Sequence, residues 1–433
     1  MHAPSVTRPD TCDTCVTTHE PDIAERMLVL MRRTAVLLVT IAATLSACSE
    51  SSAGRVPPPT GATDQQPSTP QESKAPGLKI ETVAGGLEHG WDIAFLPDGK
   101  ALVSQRPGKL ALLSSTKQGA TVTQVQADFD DVLVAGEGGL MGMVPAPDFA
   151  TSREFITCQT YRENGVARDI RLVRWRLAPD GTSAQRVNVM LSGFPVAQGG
   201  RHSGCRPTIA PDGALLVGTG DTARPAPSQD RTNLGGKVLR LDVKTGGPAP
   251  GNPFANSKNG NEQRVYTYGH RNVQGVAIRP GNGQVITAEH GPDKNDEVNI
   301  ELAGKNYGWD PSQGGRVTSY DEDVPMTDLK RFPDAIPALW ESGDRTEAVC
   351  AAAFLDGPQW RDLNGSLVVT ALKGAKLLLF KLDDAGKVQS VSVPPEFDDD
   401  YGRLRAARQG PDGALYLTTS NGTDDKLLRV TRS

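Results

Sequence analysis

The sequence predicts an all-β chain folded as a six-bladed β-propeller with four-stranded antiparallel blades. Three observations carry that prediction. From about residue 77 onward no long apolar pattern of helical period occurs, and short β-type runs recur instead. The chain holds 46 Gly and 32 Pro, a supply suited to many tight turns between short strands. Finally, a Pro-Asp-Gly turn or a close variant recurs between apolar runs. It stands at Pro97-Asp98-Gly99, Pro147-Asp148-Phe149, Pro211-Asp212-Gly213, Pro280-Gly281-Asn282, Asp356-Gly357-Pro358 and Pro411-Asp412-Gly413.

Each marker reads as a hairpin, because Pro fixes φ and Gly accepts the positive φ that follows. In order, Trp91–Leu96 leads to Ala101–Ser104, Thr208–Ala210 to Ala214–Thr219, Val276–Ile278 to Gln284–Ala288, and Ala351–Leu355 to Ser366–Thr370; Ala414–Thr419 follows the last marker. The markers lie roughly 50 to 76 residues apart. A period of that size built from short strands points to a propeller with one marker per blade. Two β-sandwiches are the rival arrangement, but no linker-like gap interrupts the markers. The axial channel of such a ring is where a ligand would sit.

The body is expected to span 77–433, and the residues before it read as address and tether. Arg32 and Arg33 precede an apolar stretch, Ala35–Leu45, that ends in Leu45-Ser46-Ala47-Cys48. A basic region, a short apolar run and small residues make a signal peptide, here over 1–47 together with an upstream extension. Met27 and Met31 are plausible starts within it. The ending in Cys48 resembles a bacterial lipobox, so Cys48 is the expected lipidation site, anchoring the protein outside the cytoplasm at the cell membrane or envelope. Residues 48–76, rich in Ser, Pro, Gly, Thr and Gln, read as a disordered linker. Cys12 and Cys15 have no second pair and no βαβ context, which argues against a metal or redox site. The body cysteines Cys158, Cys205 and Cys350 allow one internal disulfide, with the pairing open. The net charge of -5 is spread without long runs of one sign, so a nucleic-acid partner is not expected.

Four places concentrate chemistry. His202, in Gly199-Gly200-Arg201-His202-Ser203-Gly204, precedes the strand leading to the third marker, and Asp221 follows that marker's second strand. They stand at one end of one hairpin, where a carboxylate can hold an imidazole as a general base or simply brace a blade. Tyr268-Gly269-His270-Arg271-Asn272-Val273-Gln274-Gly275 sets Arg271 in a Gly-flanked turn, able to stabilise an oxyanion or to satisfy loop carbonyls. Glu289-His290-Gly291-Pro292-Asp293-Lys294-Asn295-Asp296-Glu297 offers hard oxygen ligands suited to Ca2+, or a solvated acidic loop. Lys373, Arg403 and Arg405 form a cationic set. Arg403 and Arg405 are two apart on an extended segment and so face the same way.

At these places the chain resembles the soluble PQQ-dependent glucose, aldose and sorbosone dehydrogenases, from about Trp91 to Thr431. Gly136-Glu137-Gly138-Gly139-Leu140-Met141-Gly142, Gly236–Asp242 before Asn252-Pro253-Phe254, and the Gly-His-Arg-Asn-x-Gln-Gly stretch carry the likeness. The resemblance implies oxidation of a sugar or related alcohol, with hydride passing to PQQ. It implies His202 as base, Asp221 as its support and Arg271 as the group stabilising charge. It assigns Glu137, Asn272, Lys373, Arg403 and Arg405 to the cofactor, and the backbone carbonyls of Gly291 and Pro292 to Ca2+. There are departures from the family pattern. Glu137 stands where Gln is frequent, Arg201 where a close relative has Asp, and Val273 where Pro is usual; Pro207 lies inside a strand. Asp344–Cys350 lacks an aromatic that the family places near the cofactor, unless Trp340 moves into its position. Those departures leave an alternative, a lipid-anchored propeller without cofactor that serves as a binding or scaffold module.

Overall fold

A computed structural model describes residues 77–433; the signal peptide, Cys48 and linker expectations lie outside the described residues. The first strand, β1 (Leu78–Leu87), is followed by six groups. They are β2 (Gly90–Phe95), β3 (Ala101–Gln105), β4 (Lys109–Leu113) and β5 (Val122–Val125); β6 (Leu140–Pro145), β7 (Glu154–Glu163), β8 (Val166–Leu177) and β9 (Ala184–Phe194); β10 (Arg206–Ile209), β11 (Ala214–Gly218), β12 (Lys237–Asp242) and β13 (Val265–Tyr268). Then come β14 (Val273–Ile278), β15 (Val285–Glu289), β16 (Glu297–Glu301) and β17 (Trp340–Glu341); β18 (Val349–Phe354), β19 (Leu367–Ala371), β20 (Leu377–Leu382) and β21 (Val388–Ser392); and β22 (Leu404–Gln409), β23 (Leu415–Thr419) and β24 (Asp425–Arg432).

The first five groups are each a four-stranded antiparallel sheet in chain order. The sixth borrows its outer strand from the start of the body: β1 pairs with β24, Leu78 opposite Arg432 and Leu87 opposite Asp425. The first strands of successive blades touch in turn, β2 to β6, β10, β14, β18, β22 and back to β2, which closes a six-bladed ring. Burial follows from this geometry. The second strands β3, β11, β15, β19 and β23 lie between neighbouring blades and are buried throughout. Outer strands such as β5 and β21 are largely exposed or half-exposed.

All six markers join the first strand of a blade to its second. Antiparallel strands alternate in direction, so the turns from second to third strand, and the crossovers between blades, fall on the opposite face. That face holds every candidate residue among the described ones. Pro207 sits in β10, whose other edge faces the channel, so its missing N–H breaks no ladder.

The channel is filled by charge. Asp92 is fully buried and meets Arg206 at 3.0 Å and Arg408 at 2.8 Å. The Arg206 guanidinium lies 4.2 Å from the Trp91 ring centre. A disulfide joins Cys158 in β7 to Cys205 just before β10, tying the second blade to the third, and Cys350 is a buried free thiol.

Candidate active site

His202 lies on the crossover into β10 with a left-handed backbone, φ 49. The loop tolerates this because it is packed against glycine: a Cβ at Gly220 would run into the His202 carbonyl, and one at Gly200 into the Ala135 carbonyl. His202 and Asp221 meet as their places on one hairpin predict, His202 Nδ1 standing 2.7 Å from Asp221 Oδ1. Both are buried. Asp221 Oδ1 also accepts from the Ala223 amide, and Oδ2 accepts from Trp309 Nε1 and Tyr320 Oη, at 2.8 and 2.7 Å. Held by these contacts, the Asp221 carboxylate faces Nδ1 as an acceptor and so favours the tautomer with the imidazole proton on Nδ1. His202 Nε2 makes no hydrogen bond among the described residues and is thereby free to accept a proton.

Arg271 is held from three sides. Its amide donates to Glu289 Oε1, Nη1 donates to the His290 carbonyl at 3.0 Å, and Nη2 to Glu322 Oε1 at 2.6 Å. Burial opposes its charge, but Tyr320, Asp221 and Glu322 outweigh that and keep it firmly protonated. Glu289 is fixed in turn by His270, whose Nδ1 lies 2.8 Å from Glu289 Oε2 and whose Nε2 lies 3.0 Å from Thr267 Oγ1. This second His–carboxylate pair has both ring nitrogens engaged, so it braces the turn rather than offering a base.

Beside this group lies a cavity of about 390 Å³ whose wall includes Arg106, Glu137, Arg201, His290, Arg403 and Arg405. Arg106, Arg403 and Arg405 have no carboxylate partner among the described residues. Burial and the charge of Arg405 beside them depress Arg106 and Arg403 below the ordinary arginine value. Arg405 is wedged over Trp91, its guanidinium 5.4 Å from the ring centre, and donates to Gln274 Oε1 at 3.1 Å. Glu137 accepts from the amides of Asn272 and Gln274 at 2.9 and 2.8 Å and from the His202 N–H at 3.3 Å. Burial pushes its carboxyl up, but His290, His202 and Asn272 more than offset that and hold it low.

A wall with four guanidinium groups, three of them outside any ion pair, against one carboxylate, beside an oriented imidazole, calls for an anionic co-reactant and a proton-bearing substrate. A family model described as Glucose / Sorbosone dehydrogenase matches residues 87–429. The chain belongs to that family. It is a quinoprotein sugar dehydrogenase-like oxidoreductase, and the family's general chemistry is sugar oxidation. It is 28% identical over 359 residues to the aldose sugar dehydrogenase YliI of Escherichia coli, covering 82% of this chain and 92% of that protein. The PQQ-bound aldose sugar dehydrogenase of Streptomyces coelicolor superposes with a TM-score of 0.67 at 29% identity, covering 83% of this chain and 99% of the other. A solved glucose dehydrogenase superposes with a TM-score of 0.72 at 32% identity, covering 82% and 99%.

Within this family member the expected residues divide. His202, Asp221, Arg271, Glu137, Arg403 and Arg405 converge on one region. Asn272 does not face the cavity: it is fully buried, its Nδ2 given to Glu137 and its Oδ1 taken by the Gly204 amide, so it positions Glu137. Lys373 does not line the wall either; Leu372 does, and Lys373 is exposed. Trp340 stays in the outermost strand of its blade, its ring 5.4 Å from that of Phe380, and Ala348 lines the cavity instead. The carbonyls of Gly291 and Pro292 accept no hydrogen bond among the described residues, while the Gly291 amide donates to Asp296 at 2.9 Å. No group of three or more His, Cys, Asp or Glu side chains suited to a metal occurs among the described residues. Sequence reasoning missed Arg106, Tyr320 and Glu322. Arg106 had a signal, since it follows the second strand of its blade as His290 does. Tyr320 and Glu322 sit in the long β16–β17 connection, where no periodicity points at them.

Proposed function

We propose that the protein oxidises an aldose or related alcohol with PQQ as electron acceptor, on the extracytoplasmic side of a membrane to which lipid at Cys48 holds it. One observation carries the reading: a buried, carboxylate-oriented imidazole with a free Nε2 stands beside a cavity lined by four guanidinium groups, three of which, those of Arg106, Arg403 and Arg405, are in no ion pair among the described residues. The residues fit a polyanionic, flat cofactor. Arg106, Arg403 and Arg405 would hold its carboxylates by charge-assisted hydrogen bonds. The free carbonyls of Gly291 and Pro292 are the hard oxygen donors that Ca2+ takes. When bound, the quinone supplies the two-electron acceptor for the hydride leaving the sugar carbon.

The chain's own residues do the rest. His202 Nε2 takes the hydroxyl proton of the sugar, and Asp221 stabilises the imidazolium that forms. Arg271, fixed by Glu289, His290 and Glu322, directs positive charge at oxygens that become negative. Tyr320 is kept protonated, since burial and Asp221 push its phenol far above the ordinary value, and so it remains a donor to Asp221.

The test is reconstitution of the purified protein with PQQ and Ca2+, followed by sugar-dependent dye reduction. Activity that vanishes in His202→Ala supports the reading, and absence of PQQ binding by absorbance overturns it. For the anchor, Cys48→Ala should move the protein from the membrane fraction to the soluble one; an unchanged distribution refutes the lipid.

A further inference from the structure

The β16–β17 connection lays one carboxylate across two arginines on the His202 side of the site. Glu322 accepts from Arg271 Nη2 at 2.6 Å, and both its oxygens lie within 3.0 Å of Arg201 Nη2. Arg271 is buried, whereas Arg201 lines the cavity with its side chain half exposed. Tyr320, two residues earlier, places this segment by its bond to Asp221, and Arg201 lies over the Tyr320 ring at 5.9 Å. Without Glu322, Arg201 would lose its only ion-pair partner and Arg271 Nη2 its only acceptor, leaving donors of two cations unfilled side by side. Such a pair is a ready receptor for a carboxylate or phosphate.

We infer that Glu322 is a specificity-determining residue: by occupying the Arg201–Arg271 clamp it reserves the His202 side of the site for neutral sugars and excludes sugar acids. The inference rests on the sugar-oxidising reading of the same site. Glu322 competes with an incoming carboxylate in two ways. It fills the guanidinium donors, and its own charge repels a second anion brought to the same two arginines. The connection that carries it is anchored independently of Glu322, through Trp309 and Tyr320 on Asp221, and is braced within itself by Arg331 on Asp310. A change at Glu322 alone therefore leaves the wall standing and alters its charge.

The experiment compares D-glucose with D-glucuronate in the wild type, Glu322→Gln, Glu322→Asp and the double variant Glu322→Gln/Arg201→Gln. Binding to the protein without cofactor is read by thermal shift, and specificity of the PQQ-loaded protein by the ratio of kcat/KM values. Glu322→Gln should bind glucuronate at least ten-fold more tightly than wild type, with the gain shrinking as salt is raised. Glu322→Asp, which keeps the charge, should still exclude it, and adding Arg201→Gln should remove most of the gain. The glucose-to-glucuronate ratio of kcat/KM should fall at least ten-fold in Glu322→Gln. The inference is overturned if wild type and Glu322→Gln bind glucuronate equally, or if the gain survives Arg201→Gln. If no sugar is oxidised by any loaded variant, the catalytic reading fails, and the glucuronate-binding comparison still decides the role of Glu322.

Discussion

Replacing Asp221 by Asn puts the proposed chemistry to its sharpest test. The change keeps the shape of the side chain but removes the charge opposite the imidazolium. With a contact of 2.7 Å between Nδ1 and Oδ1, the centres of charge lie about 4 Å apart; at an effective dielectric of about 20 the attraction is about 4 kcal/mol. At about 1.4 kcal/mol per decade that is close to a 1,000-fold loss in kcat. The substituted amide would still accept one hydrogen bond through its oxygen, which recovers part of the loss. Its nitrogen would also point donors at Trp309 Nε1 or Tyr320 Oη, which costs some order in the site. The expected fall in kcat is therefore on the order of 100- to 1,000-fold. KM should change little, because Asp221 is fully buried and does not line the cavity. Steady-state dye reduction, with circular dichroism to confirm the fold, measures both. A fall of less than ten-fold in a folded variant, or a loss confined to KM, refutes the assignment of His202 as the base.

Three further outcomes concern stability. Asp92→Ala leaves the buried Arg206 and the half-buried Arg408 without their anion and should cost about 3–5 kcal/mol in urea unfolding. Burial would raise the Asp92 carboxyl, yet Arg408 and Arg206 hold it low, so its contribution is present above the unfolded carboxylate pKa and lost as pH falls below it; the variant should lose that part of the acid sensitivity. Burial lowers the His270 pKa, but Glu301 and Glu289 more than offset this and raise it to about 10, so its stabilisation is complete below about pH 6.5 and is lost as pH rises towards 10. Glu297, raised to about 8 by burial and by Glu289, acts in the same direction. A His270→Gln variant should show a weaker alkaline decline in urea midpoints between pH 7 and 10, and an unchanged decline counts against the bracing role. The Cys158–Cys205 link closes a 47-residue separation, which by loop entropy stabilises by about 4 kcal/mol; reduction should lower the urea midpoint accordingly, and a loss under about 1 kcal/mol would mean the reduced chain keeps that loop closed by other contacts.

The ring was legible because its punctuation is local. Each marker is a turn whose chemistry is written in three residues, and each falls between the first two strands of a blade. The pairing of His202 with Asp221 was legible for the same reason, since both flank a single hairpin. What escaped depends on contacts between distant segments. Asn272 and Gln274 hold their amides to Glu137, more than 130 residues away, and nothing in the Arg-Asn-Val-Gln run distinguishes a donor facing a ligand from one facing a buried carboxylate. Lys373 read as part of a cationic set because it follows a strand, yet the wall takes Leu372. Tyr320 and Glu322 lie in a connection without strands, placed only by the partners it reaches. Pairing β1 with β24 also left no local trace, because β1 precedes the first marker.

That last pairing makes the N-terminal strand a clasp. Leu78 and Arg432 are neighbours in the sheet though nearly the whole body separates them, so the circle cannot latch until β24 has been made. Before that moment β1 waits with an unsatisfied edge, and any other extended segment competes for it. A chain trimmed through Leu87 would keep every side chain proposed for the redox site and still lose the latch, leaving the edge of β24 open to a strand from a neighbour.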